Sequence, residues 1–168
     1  MIVLITGGIR SGKSSFAIKY ALSKNYKKLA FLATGVPFDE EMKHRIEKHK
    51  MERSNLFETF EEPIYVPELL KQISPKYELI IVDCMTTYLA NLYHYQLDVE
   101  SFLNSFFETI KQTVSNLIIV TNEVGLSIIP ENKLARNYME KLADINKRIA
   151  HIANEVYFMI SGIEVKIK

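Results

Sequence analysis

The stretch Ile2-Val3-Leu4-Ile5-Thr6-Gly7-Gly8-Ile9-Arg10-Ser11-Gly12-Lys13-Ser14 joins a short apolar run to the pattern G-x-x-x-x-G-K-[ST]. An unbroken apolar run of this length reads as a strand buried on both faces. Behind the glycines, Phe16, Ala17, Tyr20 and Ala21 recur at the spacing of one helix face. Strand, glycine loop and helix in this order make a phosphate-binding loop. Glycine lets successive backbone N–H groups turn inward, and the helix opening near Lys13 aims its positive end at the same anion. Lys13 is expected to reach the terminal phosphates of a nucleoside triphosphate, and the Ser14 hydroxyl to ligate Mg2+. A glycine-rich turn without a ligand is the competing account of the same residues.

Composition narrows the class of partner. The 168 residues suit a single domain, 1–168, whose core needs no disulfide. Lys and Arg number 21 against 20 Asp and Glu, so the chain lacks the basic surplus of a nucleic-acid binder, and small molecules are expected instead. Cys84 is the only cysteine, which excludes an internal disulfide and a multi-cysteine metal site and suits a cytoplasmic location. The first apolar run is too short to span a bilayer and carries no basic leader, so no membrane insertion is expected.

Further apolar runs at Leu29 to Ala33, Leu79 to Val82 and Leu117 to Val120 repeat the buried-strand pattern, each ending in polar residues. Helical spacings separate them: Met42 and Ile46, then Leu103, Phe106, Phe107 and Ile110. Tyr138, Leu142, Ile145, Ile149 and Ile152 predict a long amphipathic helix entered through Pro130-Glu131-Asn132. Val156 to Ile160, Ser161-Gly162 and Ile163 to Ile167 predict a closing β-hairpin. Gly35 to Asp39 and Glu61 to Pro67 read as surface loops. The alternation predicts an α/β fold with a mainly parallel sheet flanked by helices and a C-terminal antiparallel hairpin. Ligands of such sheets bind outside the carboxyl ends of the strands, where Gly7 to Ser14, Thr34-Gly35, Asp83 and Asn122-Glu123 should gather.

Asp83 ends an apolar strand, where a carboxylate can hold Mg2+ or its water shell against the phosphates. A turn or helix cap is the plainer role, but the upstream loop favours the nucleotide site. Arg45, His49 and Arg53 recur every four residues in a charged segment and share one helix face. Flanking guanidinium groups disfavour protonation of His49, and a neutral imidazole is a nucleophile toward phosphorus. A solvated, charged face beside the Phe38, Met42, Ile46 stripe explains the same spacing. His94 sits in a tyrosine-rich stretch suited to core or interface packing, and Cys84 reads as a small buried hydrophobe.

Together these segments resemble the bifunctional adenosylcobinamide kinase / adenosylcobinamide-phosphate guanylyltransferase family of cobalamin biosynthesis. The resemblance runs nearly end to end. It rests on Gly7 to Ser14, on Glu41-Met42 with Arg45-Ile46 and His49, and on Asp83-Cys84-Met85-Thr86-Thr87. Thr121-Asn122-Glu123-Val124-Gly125, Ile129-Pro130-Glu131-Asn132, Leu134-Ala135-Arg136 and Ser161-Gly162 with Lys166-Ile167-Lys168 extend it. Phe57 stands where the family usually has Trp, and Met139-Glu140 where it has Arg-Asp.

The resemblance implies a P-loop NTPase-like fold and two reactions. ATP or GTP first phosphorylates the aminopropanol hydroxyl of adenosylcobinamide; GTP then guanylylates His49, and GMP passes to adenosylcobinamide phosphate. It implies nucleotide contacts at Gly7, Gly8, Ile9, Arg10, Ser11, Gly12, Lys13, Ser14, Thr34, Gly35, Val36, Lys50, Met51, Glu52, Arg53, Glu61 and Asp83, and a homotrimer. Ser14 and Asp83 are the expected Mg2+ ligands, and His49 and Lys13 the catalytic residues. Glu61 suits guanine, whose N1 and N2 donors a carboxylate accepts. A single-activity P-loop kinase and a GTP-dependent switch protein are the alternative readings.

Overall fold

The computed structural model describes residues 1–36, 56–126 and 128–168. Its strands are β1 (Ile2–Gly7), β2 (Leu29–Ala33), β3 (Phe57–Glu61), β4 (Leu79–Asp83), β5 (Asn116–Val120), β6 (Glu155–Ile160) and β7 (Ile163–Lys166). They form one sheet in the order β3-β2-β4-β5-β1-β6-β7. Every pairing is parallel except β6 with β7. The helices are α1 (Lys13–Ser23), α2 (Val66–Ile73), α3 (Met85–His94), α4 (Val99–Gln112) and α5 (Lys133–Ile152).

The unbroken apolar runs have the physical cause inferred for them, since alternate residues of each inner strand are buried in different layers. Leu4, Leu32, Ile80, Val82, Leu117 and Ile119 pack with Leu70 of α2, Tyr88 of α3, Phe106 of α4 and Ile145 of α5. Val3, Ile5, Phe31, Ile81, Ile118 and Val120 pack with Phe16, Ala17 and Ala21 of α1. Each large aliphatic side chain removed from water in this way contributes about 2 kcal/mol. Polar caps fix the helix starts: Asn132 Oδ1 accepts from Ala135 N at 3.1 Å, and Asp98 Oδ1 from Ser101 N at 3.1 Å. No helix among the described residues is long and apolar enough to cross a membrane.

The closing hairpin forms as expected. Ser161 and Gly162 have φ of 50° and 85°, the left-handed pair a two-residue hairpin turn requires. Its base is tied to α1: Glu155 Oε2 accepts from Tyr20 Oη at 3.0 Å and Tyr157 Oη at 2.7 Å, with Lys166 Nζ at 3.4 Å. The Tyr157 bond leads in holding the Glu155 carboxyl below its ordinary value.

Two expectations are corrected. Glu61 to Pro67 is not one loop, because Glu61 closes β3 while Val66 and Pro67 are buried in the first turn of α2. Proline fits there, where its missing N–H would have no partner in the helix. The strand was obscured because β3 is a sheet edge, with Phe57 its only buried side chain. Of the two roles expected for His94, core packing is excluded, since it ends α3 exposed, its ring edge-on to Tyr95, whereas Tyr88 of the same stretch is fully buried.

Candidate functional site

The glycines of the first loop are there for backbone reasons. Gly7 has φ 147°, and a Cβ on it would lie 2.5 Å from the Met159 carbonyl oxygen on the neighbouring strand. Arg10 at φ 55° and Gly12 at φ 90° give the loop left-handed turns, the kind of backbone that aims successive N–H groups at an anion. Gly12 caps α1 without a side-chain bond, and the first turn holds no acidic residue, so the positive helix end is not neutralised locally. Lys13 is only 8% exposed and folds back across the loop, its Nζ 2.5 Å from Gly8 O and 3.5 Å from Ser11 Oγ. The hairpin tip supports the loop from outside, with Gly162 N donating to Ser11 O at 3.2 Å. The Gly7 geometry predicts that Gly7→Ala destabilises the protein by about 2 kcal/mol through overpacking. That corresponds to a fall in Tm of roughly 4–8 °C for a chain of this size, checked by thermal melting.

The other expected residues line up across the sheet. Register pairs Glu61 with Ala33, Ala33 with Asp83, Asp83 with Val120 and Val120 with Ile5. One row thus runs from Glu61 to the strand that feeds the phosphate loop. Asp83, half-buried, stands two strand spacings from β1, about 10 Å between backbones. Thr34 is fully buried: its N donates to Asp83 O at 3.0 Å, its Oγ1 donates to Cys84 O at 2.8 Å and accepts from Cys84 N at 2.9 Å. Its hydroxyl therefore joins β2 to the end of β4, while Gly35 and Val36 beside it are half-buried. Glu61 is exposed at the end of β3.

Cys84 is half-buried, its Sγ 2.8 Å from Thr87 Oγ1. Burial, followed by the Asp83 charge, pushes its thiol above the ordinary value, so it stays a neutral thiol.

Sequence reasoning set Asn122-Glu123 at this edge without a role. In the structure Glu123 N donates to Gly7 O at 3.0 Å, which puts the segment against the phosphate loop. Asn146, unnoticed in the sequence, holds it there: Asn146 Oδ1 accepts from Thr121 Oγ1 at 2.8 Å and Asn146 Nδ2 donates to Asn122 O at 2.9 Å. Thr86 Oγ1 accepts from Asn122 N at 2.9 Å. The available signal was position, because Asn146 follows Leu142 by four residues on the buried stripe of α5.

Oxygen donors at Ser14 and Asp83 suit Mg2+, which takes one or two protein oxygens together with phosphates and water. Among the described residues no three His, Cys, Asp or Glu side chains cluster as a metal site of their own. His49, Lys50, Met51, Glu52 and Arg53, with Arg45, lie outside the described residues.

The family model described as cobinamide kinase / cobinamide phosphate guanyltransferase matches residues 3–167. The chain is 34% identical to the bifunctional adenosylcobalamin biosynthesis protein CobU of Escherichia coli (strain K12), with all of both chains covered. It is 31% identical to the protein CobP of the same description from Pseudomonas aeruginosa, over 98% of this chain and 96% of that one. Among solved structures, a KaiC-like protein of Pyrococcus horikoshii superposes with a TM-score of 0.55 at 15% identity, covering 94% of this chain and 71% of that one. An ATP synthase subunit of Nanoarcheaum equitans gives 0.59 at 15% identity, covering 94% and 44%. These distant likenesses concern the fold: a P-loop nucleotide-binding sheet.

Proposed function

Because the chain belongs to the cobinamide kinase / cobinamide phosphate guanyltransferase family, we propose that its site carries out the two reactions of cobalamin biosynthesis in succession. In the first, the adenosylcobinamide hydroxyl attacks the γ-phosphorus of ATP or GTP, releasing the nucleoside diphosphate. In the second, an imidazole nitrogen of His49 attacks the α-phosphorus of GTP and pyrophosphate departs. A phosphate oxygen of adenosylcobinamide phosphate then displaces the imidazole, giving adenosylcobinamide-GDP and free His49. Dividing the second transfer avoids a direct encounter between two polyanions.

The single observation that carries the phosphate side is the geometry of residues 7–14. A buried ammonium, the left-handed backbone turns at Arg10 and Gly12 and a helix start without a side-chain cap fall within these eight residues. Such a site acts mainly by positioning and charge stabilisation. Ser14 and Asp83 would hold Mg2+, which supplies positive charge to the phosphate oxygens when bound. Glu61, four strands along the row, would read the guanine at the opposite end of the nucleotide, with Thr34, Gly35 and Val36 between. Lys50, Met51, Glu52 and Arg53 would complete the contacts around His49. A homotrimer in the cytoplasm belongs to the same proposal, as does action of residues 1–168 as one domain. Full-length similarity to bifunctional proteins favours this reading over a single-activity kinase or a GTP-dependent switch.

Incubation with α-labelled GTP and Mg2+ tests it, since the GMP–histidine bond should resist base and break in acid. Glu61→Gln is expected to raise the KM for GTP in GMP transfer by about tenfold, the loss of one charge-assisted pair of bonds. Steady-state kinetics with GTP and ATP side by side check that the loss is confined to the guanine nucleotide.

A further inference from the structure

Asn91 lies on α3 between Leu89 and Leu92 and is 0% exposed. Its Nδ2 donates to Thr34 O at 2.8 Å and to Pro63 O at 3.0 Å. Those carbonyls belong to different connections, one leaving β2 and the other leaving β3. Both amide hydrogens are thereby used, and exchanging the oxygen and nitrogen would set Oδ1 against two carbonyl oxygens. Asn91 Oδ1 itself has no partner among the described residues, although burial of such an acceptor opposes folding.

Thr34 extends the tie through its bonds to Asp83 and Cys84. The ends of β2, β3 and β4 are joined by strand pairing and by Glu62 N on Ala33 O, and the Asn91 amide ties together the connections that leave β2 and β3. These ends bear Gly35, Val36, Glu61 and Asp83, and the chain continues from Val36 toward His49. The phosphate loop is braced elsewhere, by Glu123 N on Gly7 O and by Gly162 N on Ser11 O. Thr86 at the start of α3 reaches the phosphate-loop side, its Oγ1 accepting from Asn122 N, whereas the bonds of Asn91 go to the β2 and β3 connections.

We propose that Asn91 is a positioning residue for the guanylyl half of the site, setting the Glu61 and Val36 connections relative to Asp83 without governing the phosphate loop. The proposal rests on the two-reaction reading above. It is tested with Asn91→Leu, which removes both donors and brings in no unpartnered polar atom. Single-turnover labelling by α-labelled GTP is compared with ATP-supported phosphorylation of adenosylcobinamide, and Tm is recorded alongside.

The labelling rate is expected to fall about 30-fold, within the roughly 100-fold loss that a 1 Å misplacement causes, while the kinase rate changes less than about threefold. Equal losses in both reactions, or no loss in labelling, would overturn the assignment. If Asn91→Leu does not fold, Asn91→Ser, which keeps one short donor, is read against the same outcomes. A wild-type chain that takes no label sinks the two-reaction reading instead; a labelled wild type with an equally labelled variant sinks the role of Asn91 alone.

Discussion

Replacing His49 with alanine is expected to abolish covalent capture of GMP, lowering labelling by at least about 1,000-fold, because the covalent step loses its attacking nitrogen. Cys84 offers no substitute, since its thiol is held neutral by burial beside Asp83. GTP should still bind, as the loop of residues 7–14 is braced by Glu123, beyond β5, and by Gly162 of the hairpin turn. Binding and labelling measured on the same preparation separate these effects. Full labelling of the variant, or label that survives acid, would transfer the nucleophile's role elsewhere.

Lys13→Ala is the second large effect, with kcat for ATP-supported phosphorylation expected to fall about 100- to 1,000-fold, the usual loss when one charge stabiliser is removed. The ammonium is already buried against Gly8 O and Ser11 Oγ, so its placement needs little reorganisation. Lys13→Arg should not restore the rate, since a planar guanidinium does not fit where a compact ammonium is held. Rates at saturating ATP decide the matter, and a loss below about tenfold would contradict the charge-stabilising role.

The inner sheet was legible because physics leaves it few options. Strands covered on both sides must be apolar throughout, and Ile2 to Ile5, Leu29 to Ala33 and Leu79 to Val82 are. The phosphate loop was legible because its backbone turns demand glycine where Gly7 and Gly12 stand. At the edges the same logic fails: β3 buries only Phe57, so its sequence reads like surface. α2 opens through Tyr65 and Pro67 with no side-chain cap to announce it. Asn91 and Asn146 were illegible for a related reason. Each is a polar residue on an apolar stripe, and its carbonyl partners lie 24 to 57 residues away in the chain. For His49 the four-residue spacing with arginines permitted a nucleophile and a plain surface alike, and the resemblance chose between them.

β1 carries the phosphate loop yet pairs on one side with β6, whose Met159 lies against Gly7 and whose turn holds Ser11. A chain emerging from the ribosome must therefore keep its first strand waiting, one flank bare, until residues 155–162 have been made. Triphosphate affinity then depends on the hairpin as well as on the loop, and fragments lacking residues 155–162 would offer that bare flank to chaperones and proteases.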